Sequence, residues 1–349
     1  MVQASKRRTK SYWEPFFDKC SKDFTNHSWD FTNQANVEYH IFNADKIDGK
    51  ATKLVEDITF TNCDFRGYFI ENRLIFKNCI FNSCDFGLST FKKAKFSFCE
   101  FVETSYTQCV LEDTEFRDCS FKKIGISGNE TNLDGTLITN PRIFIGAAFT
   151  NTSALPDKKS KFVQKMKLED TKSTVARKIL VTLTSEGSEK AYYDAIETST
   201  LQECRARIAL NLLEIRNSFL DEKDQGTLKR CFGAIAGVFK LFGGIVNFFI
   251  LWFFGLVNAW GESLARPLIL GAIILFAFGG IYYWCEEIAF SRAISKSTEI
   301  MLLFGYTNYT NSVDADLMSK AEMANALVGL FWYIVTVPTV VNKLTRIRG

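Results

Sequence analysis

Apolar residues recur at every fifth position over a long stretch of this chain. The series runs Phe76, Phe81, Phe86, Phe91, Phe96, Phe101, Tyr106, Leu111, Phe116, Phe121 and Ile126. Phe60, Phe65 and Ile70 precede it in the same period, with one extra residue before Phe76. Two positions before most members lies a small residue: Cys79, Cys84, Ser89, Ala94, Cys99, Thr104, Cys109, Thr114 or Cys119. Neither regular element accommodates this. A stride of five rotates about 140° per step around an α-helix, so the aromatics would scatter over its surface. In a strand, an odd stride sends successive members to opposite faces. A chain that turns a corner every five residues does accommodate it. Four sides then make one square coil, each side sends one large and one small side chain inward, and stacked coils bury both.

Such a coil places residues twenty apart in one column, about 4.8 Å from each other by strand spacing. Cys79, Cys99 and Cys119 are therefore expected as one internal ladder, and Phe81, Phe101 and Phe121 as another. Six repeat cysteines invite a zinc site. The alternative is that Cys fills a small interior slot as a compact hydrophobe. The only two histidines, His27 and His40, do not lie among these cysteines at a zinc-ligand spacing, which favours the packing role.

The repeat resembles the pentapeptide-repeat family over residues 58 to 137, and the resemblance implies a right-handed quadrilateral β-helix. Residues 1–57 are read as an N-terminal cap with irregular earlier coils. Some members of that family mimic DNA through an acidic surface. Here residues 58 to 126 balance acids against bases, and the chain's net charge is only +3, so neither mimicry nor nucleic-acid binding is expected. A scaffold, a docking surface for a protein or ligand, or a sensor fits better.

The start, MVQASKRRTKSYWEPFFDKC, is basic but is not followed by an apolar stretch, so the N-terminal half is expected to stay in the cytosol. The ten cysteines are then expected as free thiols. Residues 138–187 read as a linker, whose stretch 151–173 is polar and carries Lys158, Lys159, Lys161, Lys165, Lys167 and Lys172; a solvated segment is the default, with attraction to anionic lipid as an option. From Ser188 to about Glu222 the pattern turns helical: Tyr192, Ile196, Ala206, Ile208, Leu212, Ile215 and Phe219 recur at helical steps, and 188–241 is read as cytoplasmic amphipathic helices.

Two later runs, 267–284 and 324–341, contain no charge and reach the length that crosses a hydrocarbon core of about 30 Å. Tyr282, Tyr283 and Trp284 close the first as an interfacial belt does. Lys343, Arg346 and Arg348 follow the second, whereas the segment between the runs is acidic on balance. By the positive-inside tendency both termini are cytoplasmic and that segment faces outward. A third run, 242–260, contains Asn247 and Asn258. It is read as an in-plane helix, because a crossing there would put the repeat and the C-terminus on opposite sides.

The connection between the two membrane runs is far longer than a turn requires. Residues 290–308 read as a short helix followed by a loop containing Gly305-Tyr306. Irregular backbone at membrane depth must line water or be buried in protein, a condition that a re-entrant pore loop in a tetramer meets. Residues 188 to 349 resemble a bacterial group that joins pentapeptide repeats to a two-helix, potassium-channel-like domain. Tyr192-Tyr193 matches a Tyr pair opening its helical linker. Trp260-Gly261-Glu262 with Ala265-Arg266-Pro267 matches a "YGERPxR"-like stretch, with an insertion. Leu303, Phe304, Gly305, Tyr306, Thr307 and Asn308 stand where that group carries a "TTLGYGD"-like filter.

The resemblance implies a homotetrameric cation channel in the cell (inner) membrane, with the lipid bilayer as its environment and a monovalent cation, potassium among the options, as the permeant species. The departures are chemical. Potassium filters use rings of backbone carbonyls from T-V-G-Y-G. Leu303 replaces the Thr, Thr307 replaces the second Gly, and Asn308 replaces the Asp, so the filter is degenerate. Pro338 near the inner end of the second run is a gate candidate; equally it is a tolerated membrane proline. The alternative function is a membrane-anchored scaffold that does not conduct. No metal motif, phosphate loop or nucleophile–base pair points to an enzyme, and no cofactor is expected.

Overall fold

A computed structural model describes residues 23–47, 52–69, 74–128, 130–150, 157–186, 189–220, 227–303 and 316–347. The chain divides into two compact units, Met1–Phe249 and Ile250–Gly349.

In the first unit the five-residue stride builds a β-solenoid of about five turns, consistent with pentapeptide repeats. Its strands are two to four residues long and pair in parallel. One face stacks Asn36–Glu38, Thr59–Thr61, Ile80–Asn82, Glu100–Val102 and Ser120–Lys122. A second stacks Lys53–Glu56, Leu74–Lys77, Lys95–Ser97, Glu115–Arg117 and Leu137–Ile138. Two three-stranded sheets complete the faces among the described residues. In the central coils the register advances by twenty, with Phe81 opposite Phe101 and Phe101 opposite Phe121. Upstream coils are longer, because Val37 pairs with Phe60 and Phe60 with Phe81. The strands Asn36–Glu38, His40–Asn43 and Lys53–Glu56 thus belong to the same solenoid, built on looser spacing.

Parallel in-register strands force like side chains into columns. Phe76, Phe96 and Phe116 stack at centroid distances of 5.0 and 4.9 Å, and Phe81, Phe101 and Phe121 at 4.9 and 5.2 Å, all within 8° of parallel. Every aromatic of the series is buried. Burial of each such ring contributes roughly 1.5–3 kcal/mol.

The corners carry a regularity that composition does not announce. Every fifth residue from Asn78 to Lys123 has positive φ, between 49° and 60°. These positions include Leu88, Lys93, Phe98 and Glu103, none of which favours that conformation. The stacked coils above and below hold them there.

Both ends of the solenoid are capped, as a repeat array requires. At the N-terminal end Trp29 packs on Phe42 and Phe69 and donates its indole N–H to the Asn43 carbonyl (2.9 Å). At the C-terminal end the short helix α1 (Pro141–Ala147) drives Phe144 edge-on against Phe121 at 4.9 Å. Within the stretch expected as a solvated linker runs a 29-residue helix, α2 (Lys158–Glu186). Its Val175, Ala176, Ile179 and Leu183 fall on one face and join the solenoid core. Five of its lysines, Lys158, Lys159, Lys161, Lys165 and Lys167, precede these residues in the N-terminal part of the helix, which is why the segment looks solvated in sequence. Helix α3 (Glu189–Leu220) runs against α2 and buries Ala191 and Ala195 in the same core.

Helix α4 (Thr227–Asn258) begins in the first unit and ends in the second. The second unit continues with α5 (Ala265–Glu286), α6 (Phe290–Met301) and α7 (Asp316–Ile347). Three stretches, Ile235–Gly261, Ala265–Glu286 and Ser319–Lys343, are long and apolar enough to cross a membrane.

Candidate functional site

Helix α6 packs against both α5 and α7. Its buried residues are Ala293, Lys296, Ser297, Ile300 and Met301, a spacing of three and four that defines one helical face. Glycines on its neighbours let the backbones approach. A Cβ on Gly279 of α5 would collide with Ile294, and one on Gly329 of α7 would collide with the backbone of Met301. Gly271 of α5 leaves room for the Trp332 indole, whose N–H donates to the Pro267 carbonyl at 2.6 Å. The three helices are thereby held at close range, with Gly329 of α7 against the C-terminal end of α6.

On the buried face of α6 sits a polar network. The Lys296 ammonium lies between the carboxylates of Glu286 at the end of α5 and Glu322 on α7, the latter at 2.7 Å. The same ammonium lies over the Tyr282 ring, 4.9 Å from its centroid. Asn325 donates to the Tyr282 hydroxyl and to the Ser297 carbonyl, both at 3.2 Å, and the Ser297 hydroxyl donates to the Leu275 carbonyl at 3.0 Å. Lys296 and Glu322 are only 8 % and 3 % exposed. Removing one partner of such a pair costs several kcal/mol, so the triad ties all three helices together. The sequence reading gives Lys296 no role beyond its place in the segment between the two membrane runs. Its signal was positional, a lysine in the apolar stripe between Ala293 and Ile300.

Helix α6 ends in a left-handed turn. Leu302 N–H bonds to the Thr298 carbonyl (2.9 Å) and Leu303 N–H to the Ile300 carbonyl (3.1 Å). Leu303 has φ +59°, a conformation that costs a leucine roughly 1–2 kcal/mol. The other filter-like positions, Phe304, Gly305, Tyr306, Thr307 and Asn308, lie outside the described residues. Pro338 lies within α7, where it withholds a helical donor from the preceding turn. Beside it, the Thr339 hydroxyl donates to the Val335 carbonyl (2.8 Å) and receives the Asn258 amide (3.1 Å).

The repeat cysteines occupy the solenoid interior. Cys79, Cys99 and Cys119 are at most 4 % exposed. Each thiol points at two backbone carbonyls, one in its own coil and one in the coil before: Lys77 and Val55 for Cys79, Ser97 and Phe76 for Cys99, Arg117 and Phe96 for Cys119, at 3.3–3.5 Å. Thr104 and Thr114 do the same with hydroxyls at 3.2–3.3 Å. The small-residue slot thus prefers a short donor, and Cys, Ser and Thr interchange there. The neighbouring Cys119 thiol, together with burial, pushes the Cys99 thiol up to about 12, and Cys99 and burial push Cys79 up as well. These thiols are poor nucleophiles at neutral pH. His27 and His40 meet at the other end of the solenoid, their rings 5.1 Å apart. Among the described residues no group of three or more His, Cys, Asp or Glu is placed to hold a metal ion.

No protein-family model matches the chain, and no match to a curated protein is found.

Proposed function

We propose that this protein is a membrane ion channel, a homotetramer of potassium-channel-like architecture that passes monovalent cations through a degenerate filter. The carrying observation is α6, a short helix with one buried face, seated between two membrane-length helices and ending at Met301, four residues before Gly305 in the sequence. A helix so placed can present the loop that follows it to a central axis shared by four copies. The Glu286–Lys296–Glu322 triad supports this role, because a filter demands a rigid mount. Neither an enzymatic activity nor a cofactor is part of this reading.

In this reading α5 and α7 cross the membrane and α4 lies along its surface. As far as Asn247, α4 runs beside α3: Asn247 reaches Cys204, Gly244 faces Ile208, and Lys240 pairs with Glu214. That part of α3 exposes Arg205 and Arg207. Charges at the bilayer centre cost at least about 2.5 kcal/mol each, which favours an interfacial position for both helices. The remainder, Phe248 to Gly261, rises about 21 Å as a helix, short of a core of about 30 Å. Both termini and the solenoid then lie in the cytoplasm, where the solenoid gates or assembles the tetramer. Its exposed ion pairs, such as Lys92–Glu112 and Lys123–Glu103, suit a protein or ligand partner rather than nucleic acid.

Purified protein in planar bilayers should carry cation currents, and Gly305→Asp or Tyr306→Ala should change their conductance or selectivity. Silence under all conditions, or a monomer or dimer in detergent, overturns the channel and leaves the membrane-anchored scaffold.

A further inference from the structure

Helices α3 and α4 enclose a cleft of about 450 Å³, a volume within the range of small-molecule sites. Its polar lining comes from Arg207 and Asn211 on α3 and from Lys240 and Asn247 on α4, and Gly243 and Gly244 form an open floor. The two cations stand on different helices and face one space. Each holds one carboxylate at the exposed rim, Glu203 for Arg207 (2.6 Å) and Glu214 for Lys240 (2.8 Å). Exposed pairs of this kind are weak. A guanidinium has five donors and an ammonium three, so both retain donors for a second anion. The Asn211 amide donates one N–H to the Lys240 carbonyl and the Asn247 amide one to Cys204, which leaves each a second N–H.

The surroundings of the cleft say which anion. Lys240 is the one charged residue of the apolar stretch Ile235–Gly261, so it marks the level where α4 meets water. Around it Phe239 and Phe242 are 72 % and 66 % exposed, and Leu210 and Phe249 are exposed too. A soluble anion uses none of this apolar surface. An amphiphile with a phosphate head and acyl tails uses both parts.

We infer that the α3–α4 cleft is a binding site for an anionic phospholipid, with the headgroup phosphate between Arg207 and Lys240 and the acyl chains along Phe242, Phe249 and Leu210. This rests on the interfacial position of α4 and not on conduction. Basic pockets at the cytoplasmic face of membrane helices recognise lipid headgroups by the same physics.

The test counts lipids bound to the full-length protein in detergent by native mass spectrometry, so a silent pore does not affect it. The probes are dioleoyl phosphatidylglycerol, dioleoyl phosphatidylcholine and inorganic phosphate. Phosphatidylglycerol should bind saturably and more tightly than phosphatidylcholine. The double variant Arg207→Gln/Lys240→Gln should weaken phosphatidylglycerol about 30-fold, since each cation near the surface supplies about a fivefold gain, and leave phosphatidylcholine unchanged. Arg207→Lys/Lys240→Arg should retain binding. Equal binding of the two lipids, an unaffected double variant, or inorganic phosphate binding as tightly as phosphatidylglycerol overturns the assignment. If the double variant does not fold, added salt decides on the wild type. Phosphatidylglycerol binding that is insensitive to salt overturns the site, and selective loss at high salt supports it.

Discussion

The two units handle apolar side chains in opposite ways. In the solenoid, the rings at the five-residue stride point inward and are at most 8 % exposed. In the helical unit, Phe276 and Leu268 of α5 and Leu327 and Ile334 of α7 are more than half exposed, and only 22 % and 33 % of the apolar windows of those helices are buried. Similar residues serve as a core in one unit and as an outer surface in the other. The polar groups are inverted to match. The solenoid wears most of its ion pairs outside, Lys77–Glu56 and Lys92–Glu112 among them, with the buried Asp64 beneath Arg66 as an exception, whereas the helical unit hides both Lys296 and Glu322. An apolar outer surface on helices of this length is compatible with a unit that sits in a membrane.

Substitutions can break that contrast. Phe101→Ala should destabilise the solenoid by about 4 kcal/mol, as expected for a truncated buried Phe that leaves a cavity. Phe276→Ala, of similar chemistry but 58 % exposed, should change stability by no more than about 0.5 kcal/mol. Urea titration of the full-length protein in detergent, followed by circular dichroism, measures both. A large loss at Phe276 would place that ring in an interface between copies rather than against lipid.

Lys296→Ala should cost about 3 kcal/mol, the low end for breaking a buried pair on one side. The low end applies because Glu286 is 24 % exposed and can recruit water, whereas the Glu322 side chain at 4 % cannot. Thermal unfolding in detergent reads this as a lowered Tm. An unchanged Tm would mean that the triad is no mount for α6.

The smallest effect should be a gain. Phe98 holds φ +54° with its ring 58 % exposed, so Phe98→Asn gives up little burial and enters a conformation that Asn tolerates. A stabilisation of about 0.5–1 kcal/mol in the same urea titration is expected. A loss would show that the exposed ring contributes packing that outweighs the backbone strain.

Legibility differed between the units for a physical reason. The solenoid columns are visible from spacing alone, because each coil contacts only its neighbours and the contact repeats at a fixed separation. The pairing of Phe81 with Phe101, and the burial of Cys99 between its coil and the one before, follow from that arithmetic. The upstream coils obey the same rule with longer strides, so the sequence pointed to irregular earlier coils there without showing their register. The α6 site depends on three segments far apart in the chain. Nothing local marks Lys296 as the partner of Glu286 and Glu322, and nothing local marks Gly329 as the seat of the end of α6. Asn211 and Lys240 likewise meet only through the antiparallel run of α3 and α4.

By itself the sequence determined the repeat, the register of its central columns and the lengths of the apolar runs, since each is a property of spacing along the chain. The tertiary structure decided that the lysine-rich α2 closes the solenoid through Val175, Ile179 and Leu183, and that corner residues as unsuited as Leu88 and Phe98 adopt positive φ. It also decided that a lysine in an apolar stripe finds two carboxylates. Each of these depends on what another part of the chain brings alongside, and no periodicity encodes that.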